Sequence, residues 1–180
     1  AKFQIKRPAL VSVGALIERK GHHLTIEALA QLGEFELLIA GDGPEKEKLI
    51  ELAERLGVLD RVQFLGQLAH DELAWLYSAA EISVLASSRE GWANVLLESM
   101  ACGTPVVASN LWGTPECVAT PEAGRLMEDY SAQAIVNGVK RLYSELPERS
   151  KTRAYAERFS WDATTEGQLQ IMKQISGVVS

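Results

Sequence analysis

Two glutamates, Glu90 and Glu98, lie eight residues apart, one just before an apolar segment and one inside it. Residues 93–102 have the spacing of a helix that is apolar on nearly every side, so Glu98 is expected to be buried. Burying an unpaired carboxylate costs several kcal/mol, and this side chain therefore needs a partner. An exposed position or a salt bridge to Arg89 or Arg125 is one solution. Adjacent hydroxyl groups of a bound sugar are another, because hydrogen bonds to a charged group are strong.

Two cations, Arg19 and Lys20, precede a second candidate helix in the glycine-bounded segment 14–21. A lysine near a helix N-terminus can pair with a phosphate that the backbone amides of the helix also bind. The segment lacks the G-x-G-x-x-G pattern of dinucleotide-binding sites. In the GDGP sequence at 41–44, Asp42 is expected to shape a turn and cap a helix rather than to hold a ribose.

Segments typical of strands and of helices alternate along the chain. Strands are predicted over 9–15, 35–41, 61–66, 81–87, 104–109 and 123–127, and helices over 22–32, 44–57, 70–80 and 93–102. From about residue 131 to 175 the pattern is helical, with breaks near Pro147 and Ser160. Repeated strand–helix–strand units predict an α/β fold with a parallel sheet and right-handed crossovers. We therefore expect one doubly wound domain with about six strands and a helical C-terminal tail.

Glycines follow most of these strands, and the ligand of a doubly wound sheet lies beyond the carboxyl ends of its strands. The predicted site is therefore built from the loops at 14–21, 41–43, 66–69, 87–94 and 109–116. The free amides at the start of the helix at 93–102 would face this crevice, and Glu90 would project into it. Trp92 and Trp112 lie in these loops, where packing and ligand contact both remain open. Trp75 and Trp161 have helical spacing among apolar residues and are predicted to lie in the core.

The composition excludes several other classes of protein. The chain has 180 residues, of which 47% are hydrophobic, as expected for one soluble domain. Its net charge of −6 does not favour nucleic-acid binding. No apolar run approaches the ~18 residues of a membrane span, and the N-terminal segment has no hydrophobic signal core. The two cysteines and three histidines lack metal-ligand spacing, and a reduced, cytosolic chain is the simplest interpretation.

The segment EGWANVLLESMACGTPVVAS at 90–109 resembles the E-x7-E region of the retaining glycosyltransferases of family 4, which have the GT-B fold. The surrounding motifs also occur in the order that the family shows: VGALIERKG (13–21), LLIAGDGP (37–44), RVQFLG (61–66) and GTPE (113–116). The resemblance runs from about residue 10 to 159. Enzymes of this family have two Rossmann-like domains with the active site between them. The resemblance implies that residues 1–180 are the C-terminal, donor-binding domain of such an enzyme. An acceptor-binding N-terminal domain would precede it, and residues 160–180 would form a tail helix that packs on that domain.

The resemblance also implies roles for individual residues. Glu90 would contact hydroxyls of the donor sugar, Glu98 those of the ribose, and Lys20 the diphosphate, which makes Glu90 and Lys20 the implied catalytic residues. The amides from Gly91 to Val95 would meet the phosphates and the sugar. The full implied donor-binding set is Gly14, Arg19, Lys20, Gly66, Leu68, Arg89, Glu90, Gly91, Trp92, Asn94, Val95 and Glu98.

One position departs from the family pattern. Many members carry an arginine after the first glycine of the segment at 14–21, where it contacts the diphosphate, and this chain has Ala15. Arg19 or Arg89 is a candidate substitute. The alternative is that Lys20 and the backbone amides stabilise the diphosphate alone.

The implied activity is transfer of a sugar from a UDP- or GDP-linked donor to an acceptor, with retention of configuration, in glycan or glycoconjugate biosynthesis. The resemblance implies no cofactor and no metal, and partners limited to the donor and the N-terminal domain, without nucleic acid. The isolated domain is expected to be inactive, because half of the cleft would be missing. The protein would be cytoplasmic, with membrane contact only through the other domain at the inner membrane.

Two other functions remain open from the residues alone. A nicotinamide-dependent oxidoreductase domain would share the α/β pattern, but the absence of G-x-G-x-x-G disfavours it. A non-catalytic α/β interaction module is disfavoured by the two acids and the lysine that cluster at the predicted strand ends. Binding of UDP, GDP and NAD distinguishes the three functions.

Overall fold

Short apolar segments form the strands of one six-stranded sheet in the computed structural model, which describes residues 3–91 and 93–159. The side chains of the four central strands are nearly all buried, as expected for strands that are covered on both faces, whereas those of the two edge strands are mostly half-buried. The strands are β1 (Ala9–Val13), β2 (Glu36–Ala40), β3 (Val62–Gly66), β4 (Ile82–Leu85), β5 (Val106–Ala108) and β6 (Gly124–Leu126). All six predicted strands are present, and each observed strand lies within its predicted range.

All strand pairs are parallel, and the strand order is β3-β2-β1-β4-β5-β6. The chain runs outward from β1 through β2 to β3 and then returns to place β4 against the other side of β1. This reversal makes the β1/β4 pair the topological switch point, at which doubly wound sheets bind their ligands. The expected α/β doubly wound domain is confirmed.

Seven α-helices connect and cover the strands of the described chain. They are α1 (His22–Leu29), α2 (Lys46–Arg55), α3 (His70–Ala79), α4 (Asn94–Ala101), α5 (Thr114–Cys117), α6 (Ala132–Ser144) and α7 (Arg149–Ala156). Single turns of 3-10 helix span Glu18–Lys20 and Leu59–Arg61. The short helix α5 was not predicted, because four residues with a proline in the first turn show no helical periodicity.

Alternate strand residues divide the core between the two faces of the sheet. Leu10 packs with apolar residues of α1, α2 and α6, whereas its neighbours Ala9 and Val11 pack with α3. On that second face, α4 and α7 cover the far half of the sheet, against Val106 and Ala108. The helix α4 is apolar on nearly every side, as predicted, but only one side of it is fully buried. Asn94 and Ala101 are exposed on it.

The predicted helical tail is confirmed as far as the structure describes it. The chain leaves the helix α6 at Ser144 and forms α7 from Arg149, so the break near Pro147 is present. The tail helix predicted for 160–180, with Trp161, lies outside the described residues. No helix among those described has the length and apolar character needed to cross a membrane.

The prediction that Trp75 lies in the core is wrong, because its side chain is 67% exposed on α3. The next two residues, Leu76 and Tyr77, occupy the buried side of that helix instead. Helical spacing predicted that one side of this segment faces the sheet but not which side.

Candidate functional site

Gly21 brings the cationic segment against the end of β4. It ends the 3-10 turn in a left-handed conformation (φ 68°), and a Cβ atom on it would lie 1.8 Å from the carbonyl oxygen of Ala86. Only glycine permits this approach. The backbone N–H of Ser88 then donates to the carbonyl of Arg19 at 2.9 Å, so the loops that follow β1 and β4 are joined. This contact places Lys20 beside Glu90 at the switch point.

Lys20 and Glu90 form a largely buried ion pair. The Lys20 ammonium donates to Glu90 Oε1 at 2.5 Å, and the two side chains are only 16% and 11% exposed. The hydroxyl of Ser87 donates to the same oxygen at 2.7 Å, and Ser87 is itself held by the Ser109 hydroxyl, which donates to its carbonyl at 2.7 Å. The predicted catalytic pair is therefore assembled, with one carboxylate oxygen occupied by two donors. Ser87 was not predicted to take part, since nothing in its spacing marks it.

Glu98 lies half-buried on α4, one turn beyond the first residue of that helix. Within the described chain it forms no ion pair. Arg125 pairs with Glu145 at 3.3 Å, and the guanidinium of Arg89 lies over the ring of Trp112. The salt-bridge alternative for Glu98 is therefore not realised with either arginine.

The hydroxyl of Tyr77 is the feature of this region that the sequence did not reveal. Burial raises the pKa of Tyr77, and the negative charge of the nearby Glu98 carboxylate raises it further. The hydroxyl is buried and makes no hydrogen bond of acceptable geometry to a described residue, although Glu98 is close to it. Tyr77 and Glu98 therefore lie close together between α3 and α4.

Arg19, Arg89 and Trp112 form the outer rim of the same site. A guanidinium N–H of Arg19 donates to the backbone carbonyl of Arg89 at 2.7 Å. The guanidinium of Arg89 lies 5.4 Å from the centre of the Trp112 ring, a cation–π arrangement. Trp112 is 66% exposed, so packing in the core is not its role.

The remaining predicted site residues surround this pair at increasing distance. Gly14 faces the Lys20 side chain, since a Cβ atom there would lie 3.4 Å from the Lys20 Cδ and Cε atoms. Gly91 and Asn94 are exposed at the start of α4, where the first backbone amides have no partner within the helix, and Val95 is partly buried. Trp92 lies outside the described residues.

Gly66 and Leu68 lie at the end of β3, two strands away from β1. The carbonyl of Gly66 accepts a hydrogen bond of 2.8 Å from the backbone of Gly41, which joins the ends of β2 and β3. The side chain of Leu68 is half-buried against the α3 face of the sheet. These residues share the crevice edge with Lys20 and Glu90 without contacting them.

The described residues form no metal cluster, and a cavity that they line elsewhere on the sheet points to no second site at this edge. No three acidic, histidine or cysteine side chains within 3–91 and 93–159 are grouped closely enough to hold a metal ion. A cavity of about 360 Å³ lies between the C-terminal end of α4, at Cys102, and the helix α7. There Arg149 donates to the carbonyl of Ala80, just before β4, so this cavity lies at the amino ends of the strands. It is on the opposite edge of the sheet from Lys20 and Glu90.

A parallel sheet with an acid–lysine pair at its switch point defines a doubly wound α/β domain with a ligand crevice. Residues 1–159 match the model of the family described as glycosyl transferases group 1. The chain belongs to this family.

Similar proteins include two bacterial glycosyltransferases. The chain is 33% identical over 170 residues to the lipopolysaccharide core biosynthesis glycosyltransferase LpsE of Rhizobium meliloti, covering 92% of this chain and 49% of that protein. It is 33% identical over 178 residues to a D-inositol 3-phosphate glycosyltransferase of Corynebacterium urealyticum, covering 91% and 42%. The chain thus spans about half the length of these curated relatives.

Solved structures show the same relation. The sucrose-phosphate synthase of Thermosynechococcus elongatus superposes with a TM-score of 0.86 at 30% identity, covering 99% of this chain and 48% of that one. HepE of Anabaena, solved in complex with UDP, superposes with a TM-score of 0.81 at 28% identity, covering 96% and 49%. The fold is therefore that of one half of a GT-B glycosyltransferase.

Proposed function

We propose that this chain is the donor-binding domain of a retaining glycosyltransferase, which transfers a sugar from a nucleotide diphosphate sugar to an acceptor. The observation that carries the proposal is the Lys20–Glu90 ion pair, held at the switch point next to the N-terminus of α4. A cation and free helix amides suit a diphosphate, and a carboxylate beside them suits sugar hydroxyls. The HepE structures with UDP and with UDP-glucose support a uridine diphosphate donor.

Each acid has a separate role in this proposal. One oxygen of Glu90 is occupied by Lys20 and Ser87, which leaves the other to accept hydrogen bonds from the donor sugar. Glu98 lies deeper along α4 and would accept hydrogen bonds from the ribose hydroxyls. The base would then lie toward Gly66 and Leu68, across the ends of β2 and β3.

The chemical contribution of this domain would be electrostatic. Departure of the nucleoside diphosphate leaves negative charge on the leaving group, and Lys20 and the amides of α4 are positioned to stabilise it. We infer retention of configuration from the resemblance of the E-x7-E region to retaining enzymes. This mechanism requires neither a metal ion nor a separate cofactor.

The other half of the enzyme would supply the acceptor site. Because the chain spans about half the length of its relatives, we propose that an N-terminal domain completes the cleft. The complete enzyme would act in glycan or glycoconjugate synthesis. The isolated domain would then bind the donor without transferring the sugar. Sugar transfer by residues 1–180 alone would contradict this division of labour.

Titration calorimetry with UDP, GDP and NAD tests the proposed donor site. We expect UDP to bind and NAD not to, and Glu98→Ala to weaken UDP binding by about 1.5–3 kcal/mol, the strength of hydrogen bonds to a charged group. Glu51→Ala, on the exposed side of α2, is the matched control and should bind as the unaltered chain does. Undiminished binding by Glu98→Ala would refute the ribose role. Binding of NAD alone would favour the oxidoreductase function, and no nucleotide binding would favour a non-catalytic module.

A further inference from the structure

The charge of Lys20 is already compensated before any ligand arrives. Its ammonium lies 2.5 Å from Glu90 Oε1, and both groups are largely shielded from water. A nucleoside diphosphate carries more than one negative charge, so the pair alone offers it little net attraction. If the proposed function holds, a further cation close to Lys20 must bind the diphosphate.

Arg19 and Arg89 are the two cations beside this pair, and of the two only Arg19 already donates a guanidinium N–H to a backbone carbonyl within the described chain. Arg89 immediately precedes Glu90, and its guanidinium forms no ion pair with any carboxylate of the described chain. Arg19 donates to the Arg89 carbonyl at 2.7 Å, which fixes the backbone that carries this side chain. A guanidinium that lies over an aromatic ring keeps its N–H groups free at the edge, where they can bind a phosphate through two parallel hydrogen bonds.

Trp112 has a conformation that packing does not explain. Its φ of 54° is the one positive value among the described non-glycine residues, and such values are rare for a bulky side chain. Glycine would adopt it without strain. The ring is also 66% exposed, so the strain is not offset by burial in the core. In this conformation the centre of the indole ring lies 5.4 Å from the Arg89 guanidinium.

We propose that Arg89 binds the diphosphate of the donor and that Trp112 is the residue that positions it. This assignment rests on the proposed donor-binding function. It identifies Arg89, rather than Arg19, as the substitute for the positive charge that is missing at Ala15. The guanidinium of Arg19 serves instead to hold the Arg89 backbone.

The first experiment compares ligands with and without phosphates. UDP and uridine are titrated against the unaltered chain, Arg89→Gln and Arg141→Gln, the last being an exposed arginine on α6 far from the site. Arg89→Gln is expected to lose at least about tenfold in UDP affinity and none in uridine affinity, because only UDP offers a charged partner. Arg141→Gln should match the unaltered chain. The loss in Arg89→Gln should shrink at high salt, where charge interactions are screened.

The second experiment separates positioning from stability. Trp112→Gly removes the ring but suits the positive φ, so the variant should unfold at the same or a higher urea concentration and yet bind UDP several-fold more weakly. Trp112→Phe keeps an aromatic face for the guanidinium and should retain most of the UDP affinity. A residue with a purely structural role would change stability and leave UDP affinity unaltered.

The outcomes distinguish this assignment from the function on which it rests. If the unaltered chain binds UDP and Arg89→Gln binds it equally well, the assignment is overturned and the donor site is retained. If Arg89→Gln loses UDP and uridine affinity alike, the arginine maintains the fold of the loop, and the assignment is again overturned. If the unaltered chain binds no nucleotide, both the donor site and the assignment are refuted.

Discussion

Acidification should destabilise this domain through His22, the first residue of α1. The imidazole is 2% exposed, and its Nδ1 atom lies 2.9 Å from the hydroxyl of Ser12. The pKa of His22 is lowered from 6.5 to about 4, chiefly by burial. Hydrogen bonds to the backbone at Ala15 and Gly14 raise the pKa and offset this only in part, and the charges of Lys20 and His23 lower it further. The folded protein therefore holds a neutral imidazole at pH values at which the unfolded chain is already protonated.

The sign and size of the effect follow from proton linkage. Since the unfolded state binds more protons between the two pKa values, the contribution is complete above pH 6.5 and is lost as the pH falls toward about 4. Each pKa unit corresponds to about 1.36 kcal/mol, so the full loss is about 3 kcal/mol. Between about pH 7.5 and pH 4.5, protonation of His22 should lower the free energy of unfolding by about 2.5 kcal/mol.

The assay is urea unfolding of the unaltered chain and of His22→Asn over that pH range. Carboxyl groups titrate equally in both proteins, so the difference between the two free energies of unfolding isolates His22. As the pH is lowered, we expect the free energy of unfolding of the unaltered chain to fall by about 2.5 kcal/mol more than that of His22→Asn. His70→Asn, which alters an exposed histidine on α3, should follow the unaltered chain at every pH. Parallel curves for the unaltered chain and His22→Asn would refute a depressed pKa.

Two further substitutions test how the loops and helices are held. Gly21→Ala should destabilise the fold by about 2 kcal/mol or more, because the added Cβ atom would combine a left-handed φ with a contact of 1.8 Å to the Ala86 carbonyl oxygen. Gly33→Ala is the control, since the space around Gly33 is open, and should not destabilise the fold. Urea unfolding measures both variants. Arg149→Met should lower the free energy of unfolding by about 1.5–3 kcal/mol without changing UDP affinity, because the guanidinium donates to the Ser78 and Ala80 carbonyls at the edge of the sheet opposite the site. A calorimetric loss of UDP binding in Arg149→Met would contradict the placement of the site.

The order of strands and helices was predictable because its signals are local. Each strand is a short apolar segment, the first three end at or beside a glycine, and parallel strands require crossovers of one hand. The sequence positions of Lys20 and Glu90 at the ends of β1 and β4 then place both at the switch point. The contact between them was therefore within reach of sequence reasoning.

Contacts between helices and between distant loops were not predictable in the same way. The spacing of α3 does not reveal that Tyr77 faces Glu98 on α4, since the two helices approach only after the sheet has formed. The same spacing gave the wrong side for Trp75. The stacking of Arg89 on Trp112 joins the loops after β4 and β5 through a strained backbone conformation. Strain of this kind is set by tertiary structure and has no signature in residue type.

The ion pair and the stacked arginine together suggest why the site carries its charges in this arrangement. An isolated lysine in a half-buried crevice would have to be desolvated without a partner, which is unfavourable. Glu90 satisfies Lys20 in the absence of ligand and, in the proposed function, offers its second oxygen to the sugar. Arg89 can remain unpaired because it lies at the exposed rim, where water solvates it and its guanidinium lies over the ring of Trp112. A diphosphate would then meet one cation that is fixed in place by an acid and one that is free to bind it, so that affinity and preorganisation come from different residues.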